Sequence, residues 1–219
     1  MTLQPGAQPR SVEADAIVLA GGRGRRLGGI DKAEILVDGR SLLERLLTAL
    51  ATTPAVGRTV VVGAATVPTT MRATVHQVVE DPPGSGPVAA VAAGLGDLGG
   101  SGRTPARWTL VLAVDQPSAG TGARALVKAI QAHHVGSPAL EALVPRDSDG
   151  RWQWLLAGYR TESLRGAILG LPRLQDAAMR RVFGALRVGD VDLDPSVLGD
   201  IDTPADLARW SPGSGAQWS

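Results

Sequence analysis

Residues 19–35 read LAGGRGRRLGGIDKAEI, and these are residue types that hold a polyphosphate. Gly21, Gly22, Gly24, Gly28 and Gly29 remove side chains from a backbone that must bend and approach a ligand closely. Backbone N–H groups exposed in such a bend form a concavity for anions. Arg23, Arg25 and Arg26 add guanidinium forks that match phosphate oxygens two at a time, and Lys32 adds a compact cation at the end of the loop. Two well-known phosphate loops do not account for this one. GxxxxGK[ST] fails because Gly29 is followed by Ile30. GxGxxG fails because Leu27 stands where the third glycine belongs, and no acidic residue ends a second strand near Gly63-Ala64. A polyphosphate is the expected ligand, and a standard NAD site is disfavoured.

The elements around the loop must position it. Ala14–Ala20 (ADAIVLA) reads as a short buried strand, so the loop leaves the carboxyl end of a strand, where open α/β sheets bind ligands. Glu34–Val37 reads as extended and Asp38-Gly39 as a turn. Ser41 and Glu44 form a capping box ahead of Leu42, Leu43, Leu46, Leu47 and Leu50, which fall at helical spacing. Further strands are expected at Arg58–Gly63, Val75–Val79, Trp108–Val114, Leu140–Pro145, Trp152–Tyr159 and Leu186–Val191. Helices are expected at Pro87–Leu98, Ala123–His134, Thr161–Leu169, Asp176–Phe183 and Thr203–Trp210, and Gly99–Pro105 as a flexible connection. Alternating strands and helices imply right-handed crossovers and a mostly parallel sheet. Two of the strands end on acids, Glu80-Asp81 after the third and Asp115 after the central one.

Composition narrows the classes. The chain has 219 residues, which suits one α/β domain over residues 14–210, with loosely ordered tails at 1–13 and 211–219. A net charge of +1 gives no support for bulk binding to nucleic acid. No run of apolar residues is long enough for a membrane span. There is no cysteine, which removes disulfides, thiolate metal sites and thiol nucleophiles and agrees with a cytoplasmic protein. His76, His133 and His134 form no convincing triad or metal cluster.

The pattern LAGG-x-G-x-R-x-GG-x-DK resembles the signature of the MobA-like nucleotidyltransferases, in particular the molybdenum cofactor guanylyltransferases. The resemblance covers about Ala16 to Trp210. It implies a three-layer α/β/α Rossmann-like nucleotide-diphospho-sugar transferase fold. It also implies transfer of GMP from Mg-GTP to the phosphate of Mo-molybdopterin with release of pyrophosphate, and contact with a molybdoenzyme or maturation factor. Leu19, Ala20, Gly21, Gly22, Gly24, Arg26 and Lys32 would then hold the nucleotide, with Arg26 and Lys32 carrying charge stabilisation.

VDQP resembles the family motif whose aspartate holds the metal, which assigns Asp115 to Mg²⁺. Glu80-Asp81 and the following SGP resemble the base-contacting stretch, with Asp81 accepting from guanine N1–H and N2–H₂ and Gly86 allowing close approach. Asp200-Ile201-Asp202-Thr203-Pro204 resembles a C-terminal family motif, which implies Asp202, or Asp200, as a second metal ligand or as the group that orients its water; the residues read equally as a cap, Asp202 or Thr203, on the last helix. The chain departs from the pattern at Gly63-Ala64, where an asparagine is usual, and at Trp154, where proline is usual. Trp152 and Trp154 could stack on a flat acceptor or pack in the core. Arg180 and Arg181 read as a solvated helix face or an acceptor-phosphate contact. Related acceptors and CTP stay open, as does a non-catalytic nucleotide-binding protein.

Overall fold

The computed structural model describes residues 13–21, 23–24, 29–100, 102–133, 140–194 and 197–210. Seven strands build the main sheet: β1 (Ala14–Leu19), β2 (Val56–Val62), β3 (Val75–Val78), β4 (Trp108–Ala113), β5 (Ala142–Val144), β6 (Leu156–Arg160) and β7 (Val188–Asp190). Their order is β7-β5-β6-β4-β1-β2-β3. All pairs are parallel except those of β6, which runs antiparallel to both β4 and β5. The helices are α1 (Leu42–Ala51), α2 (Pro87–Gly100), α3 (Ala119–His133), α4 (Thr161–Leu169), α5 (Arg180–Phe183) and α6 (Pro204–Trp210).

Strand alternation divides the core into two faces. Ala14, Ala16 and Val18 of β1 and Leu110 and Leu112 of β4 join the leucines of α1, Leu126 and Ile130 of α3, and Leu207 of α6. Ile17, Leu19 and Val111 join Val88, Val91 and Leu95 of α2, Leu164 and Ile168 of α4, and Val182 and Phe183 of α5. The result is three layers, α/β/α. Every β1 and β4 residue is buried, as expected for parallel strands covered on both sides. The register sets Leu19 level with Val62 and with Ala113, so the loops that follow β1, β2 and β4 leave one edge together.

Local signals explain several boundaries. Ser41 Oγ accepts from the Glu44 N–H at 3.1 Å, closing the N-terminus of α1, whose five predicted leucines are all buried. Asp38 (φ 52°) and Gly39 (φ 75°) form the left-handed pair that joins Leu36–Val37 to Arg40–Ser41.

Other expectations need correction. The segment expected to be extended at Glu34–Val37 opens in a 3₁₀ turn, Lys32–Glu34, capped by Asp31, whose Oδ1 accepts from the Ala33 N–H at 2.9 Å. Helix α2 continues through Gly100, into the stretch expected to be flexible. Helix α3 begins at Ala119, earlier than expected, and His134 lies outside the described residues. Only Arg180–Phe183 of the helix expected at Asp176–Phe183 forms, and Asp176, at a left-handed φ of 56°, lies in a turn ahead of it. The strand expected from Trp152 starts at Leu156; Trp152 instead makes an isolated bridge to Arg146. The predicted tails, 1–13 and 211–219, lie outside the described residues apart from Glu13.

Candidate active site

Three chain segments meet at the carboxyl edge of β1 and β4. The first is the glycine–arginine loop. Its backbone leaves β1 with the Ala20 N–H donating to Val62 O at 2.8 Å. Arg23–Gly24 pairs antiparallel with Ile30–Asp31, folding the loop back as a short ribbon that delivers Lys32 on its 3₁₀ turn. Gly22 and Arg26 lie outside the described residues. The second segment is the end of β4, where the Val114 N–H donates to Leu19 O at 3.1 Å and Asp115 follows. The third is Asp200–Asp202, tied to the second by the Ile201 N–H donating to Asp115 O at 2.9 Å. Buried Ile201 anchors this extended segment, so Asp200 and Asp202 flank it at the site.

Lys32 Nζ bridges the carboxylates, 2.8 Å from Asp115 Oδ2 and 2.5 Å from Asp202 Oδ1. Burial alone would lower the lysine pKa, but the hydrogen bonds and charges of Asp115 and Asp202 outweigh it and hold the ammonium above its usual value. Asp200 is raised, first by crowding of its carboxylate by protein atoms and then by the negative charge of Asp115 and Asp202, while a hydrogen bond from Gln116 works against the shift. Among the described residues three carboxylates face one ammonium, a local charge of about −2 with all four groups ionised.

That surplus tests the fit of a divalent cation. Among the described residues no group of three His, Cys, Asp or Glu side chains could hold an ion unaided. A hard Mg²⁺ ion does not need one, since it is usually held by one or two carboxylates and the phosphates of its substrate. Asp115 and Asp202, partly exposed and offering oxygen donors, fit that role.

Loop closure after β2 depends on Gly63. Its φ is 129°, and a Cβ there would lie 2.7 Å from Gly21 N and 2.8 Å from the Ala20 carbonyl carbon. The departure from the family's asparagine is therefore a place where two backbones touch, and any side chain would push the glycine–arginine loop outward. After β3, buried Glu80 accepts from the Gly84 N–H at 2.9 Å, and the Ser85 hydroxyl donates to Pro82 O at 2.6 Å. Gly86 (φ 90°) packs against the Asp176 backbone, whose N–H donates to Ser85 O at 2.8 Å. Asp81 stands exposed on this braced loop. It lies three strands from β4, about 14 Å at the usual strand spacing.

The structure thus brings Lys32, Asp115 and Asp202 into contact, with Leu19, Ala20 and Gly21 on the same edge and Asp81 and Gly86 farther along it. Sequence reasoning placed Lys32 on the phosphate and missed its bridge to the two acids. It also missed Gln116, 5 % exposed, whose Nε2 reaches Asp200 Oδ1 at 3.3 Å. No local pattern announces a contact between positions 84 residues apart.

Trp152 and Trp154 do not alternate along a strand. Trp154 stacks on Phe183 with ring centres 3.6 Å apart, and the Arg146 guanidinium lies 3.5 Å over Trp152. Each indole thus gives a face to the chain itself. Arg180 and Arg181 are exposed on α5.

A mostly parallel sheet between two helical layers carries a glycine–arginine loop after its first strand and a lysine-bridged acid pair at its carboxyl edge. The MobA-like NTP transferase domain family matches residues 16–191, and the chain belongs to that family of nucleotidyltransferases. It is 34% identical over 169 residues to a molybdenum cofactor guanylyltransferase of Acidiphilium cryptum, covering 71% of this chain and 83% of that one. The fold is shared with molybdopterin-guanine dinucleotide biosynthesis protein A of Archaeoglobus fulgidus (TM-score 0.58, 22% identity, 90% of this chain and 97% of that one). It is shared equally with 2-C-methyl-D-erythritol 4-phosphate cytidylyltransferase of Thermus thermophilus (TM-score 0.59, 21% identity, 90% and 96%). No described helix is long and apolar enough to cross a membrane.

Proposed function

We propose that the chain is a cytoplasmic molybdenum cofactor guanylyltransferase, moving GMP from Mg-GTP to the terminal phosphate of molybdopterin. The observation that carries the reading is the Lys32 bridge between Asp115 and Asp202 at the mouth of the glycine–arginine loop. The relative at 34% identity, a molybdenum cofactor guanylyltransferase, supports a guanine nucleotide as donor and the molybdenum cofactor as acceptor.

In this reading Leu19 and Ala20 set the start of the loop, Gly21, Gly22 and Gly24 let its backbone N–H groups approach the triphosphate, Arg26 and Lys32 offset its charge, and Asp115 and Asp202 would hold Mg²⁺. Held by Asp115 and Asp202, a divalent ion would supply electrostatic stabilisation of the charge that builds at the α-phosphorus. Asp81 and Gly86 receive the base. An oxygen of the acceptor phosphate forms the new bond to the α-phosphorus as the bond to the bridging oxygen of the pyrophosphate breaks. The acceptor phosphate is already ionised near neutral pH, so no protein base removes a proton. The chain's part is positioning and electrostatic stabilisation.

The test is pyrophosphate release from each of the four NTPs, with and without molybdopterin. Release that requires both GTP and molybdopterin supports the reading. Release with CTP, or with another phosphorylated acceptor in place of molybdopterin, overturns the substrate assignment. GTP binding without release under any condition overturns catalysis.

A further inference from the structure

Lys32 stands where a cation shared by two carboxylates has to stand. Its Nζ is 2.8 Å from Asp115 Oδ2 and 2.5 Å from Asp202 Oδ1, on segments 83 and 170 residues away. An ion coordinated at about 2.1 Å by either of these oxygens would lie within about 5 Å of the ammonium. The space between the two acids therefore favours one cation at a time, since a second would add repulsion at a distance that salt screens little.

The acids keep their places without the lysine. The Ile201 N–H donates to Asp115 O at 2.9 Å, and the Asp202 N–H donates to Asp206 Oδ2 at 3.2 Å. Buried Ile201 fixes the backbone between Asp200 and Asp202. The lysine backbone is fixed as well, by the Asp31 cap on its 3₁₀ turn and by the Ile35 N–H donating to Lys32 O at 3.3 Å. What is left to move is the flexible four-carbon stem. The Lys32 side chain is 16% exposed and the Asp202 side chain 48%, so the ammonium is largely covered while one of its acids stays open to solvent.

A second position for the ammonium lies along the same edge. Leu19 and Ala113 are paired in register, and Gly21 and Asp115 each follow two residues later, so the glycine–arginine loop starts beside Asp115. The pairing of Arg23–Gly24 with Ile30–Asp31 then returns the chain to Lys32. An anion on the N–H groups of that loop would compete with the two acids for one ammonium.

We propose that Lys32 is a built-in substitute for the divalent ion: its ammonium closes the acid pair until a triphosphate draws it off, so ion and nucleotide enter together. The inference rests on the proposed function for the identity of the anion and adds the order in which the site fills. Each ligand gains from the other because each favours the arrangement in which the ammonium has left the acids.

The test titrates Mn²⁺ alone into the full chain and reads the unbound ion by electron paramagnetic resonance. It compares wild type, Lys32→Met, Lys32→Arg and the double variant Lys32→Met/Asp115→Asn. Lys32→Met should bind Mn²⁺ about tenfold more tightly than wild type, Lys32→Arg should stay near wild type, and the double variant should lose the gain. A lysine that merely held the loop in place would leave Lys32→Met binding the ion no better. The gain should survive about 0.5 M KCl, because charges in contact are screened far less than distant ones. A second arm measures the dissociation constant of GTP in EDTA and in MgCl₂ by calorimetry. The factor by which Mg²⁺ tightens GTP should be about tenfold larger in wild type than in Lys32→Met, since only wild type has an ammonium to release. Equal Mn²⁺ affinity in wild type and Lys32→Met, a gain abolished by salt, or a gain kept in the double variant overturns the substitution. A gain in Mn²⁺ affinity with an unchanged Mg²⁺ effect on GTP overturns release by the triphosphate. A wild type that binds GTP under neither condition overturns the proposed function, and the Mn²⁺ titrations still decide whether Lys32 fills the place of the ion.

Discussion

Replacing Lys32 by methionine keeps the length and apolar stem of the side chain and removes the ammonium that bridges Asp115 and Asp202. At a separation of about 3 Å and an effective dielectric near 20, each pair has a gross attraction of about 5 kcal/mol. Desolvation of the ammonium, whose side chain is 16% exposed, returns several kcal/mol of that. The Asp202 side chain is 48% exposed, so its arm contributes no more than about 0.5–1 kcal/mol. The Asp115 arm, 25% exposed, carries the rest, for a net near 2 kcal/mol. For a chain of this length that lowers Tm by roughly 4–8 °C. Scanning calorimetry in EDTA and in millimolar MgCl₂ reads the effect. In EDTA the variant leaves Asp115, Asp200 and Asp202 uncompensated by the lysine and should melt several degrees below wild type. With MgCl₂ it should regain more than wild type gains, because a divalent cation then replaces the missing charge without displacing an ammonium from the same oxygens. A variant that melts with wild type in EDTA, or that MgCl₂ fails to restore, refutes the electrostatic account of this cluster.

In the proposed reading Asp115→Asn should lower pyrophosphate release from Mg-GTP about a thousandfold while the far-ultraviolet dichroism stays native, because only the charge proposed to hold the ion is lost. Gly63→Ala places a methyl group 2.7 Å from Gly21 N at a left-handed φ and should cost about 3 kcal/mol, read as a Tm lower by roughly 6–12 °C. Thr203→Ala removes the hydroxyl that accepts from the Asp206 N–H at 3.2 Å and should cost about 1 kcal/mol in denaturant unfolding. Asp206 accepts in return from the Thr203 hydroxyl at 2.7 Å, and that bond holds its carboxyl below the usual range. A depressed folded pKa contributes stability above the unfolded pKa and loses it as pH falls through the folded value. Asp206→Asn should therefore differ from wild type in unfolding free energy at neutral pH and converge with it in acid.

The central strands were legible because parallel strands buried on both faces read as unbroken apolar runs, as in ADAIVL and WTLVLA. The α1 capping box and the Thr203 cap were legible because caps are local chemistry. Strand direction was not: nothing in LAGYR says that β6 runs against its neighbours. Trp152 and Trp154 carried an alternation that suggested a strand, but stacking on Phe183 and under Arg146 outweighed the β preference. In the candidate site, glycine and arginine types marked the loop that delivers Lys32, and an acid at a strand end marked Asp115, which Lys32 meets. The Lys32 bridge spans 83 and 170 residues, so it depends on the fold and has no signature in spacing. Gly63 looked like a missing contact until the backbone of Ala20 and Gly21 was seen against it.

The account stands on a divalent ion held by Asp115 and Asp202 against a triphosphate gripped by the loop at residues 21–32. A crystal structure with Mn²⁺ and a non-hydrolysable GTP analogue, phased to show anomalous scattering, tests this most directly. The account predicts a manganese peak within about 2.2 Å of oxygens from Asp115, Asp202 and the α-phosphate, with Lys32 Nζ moved from the acids to the phosphates. A peak elsewhere, or a triphosphate bound away from Lys32 and Asp115, contradicts it.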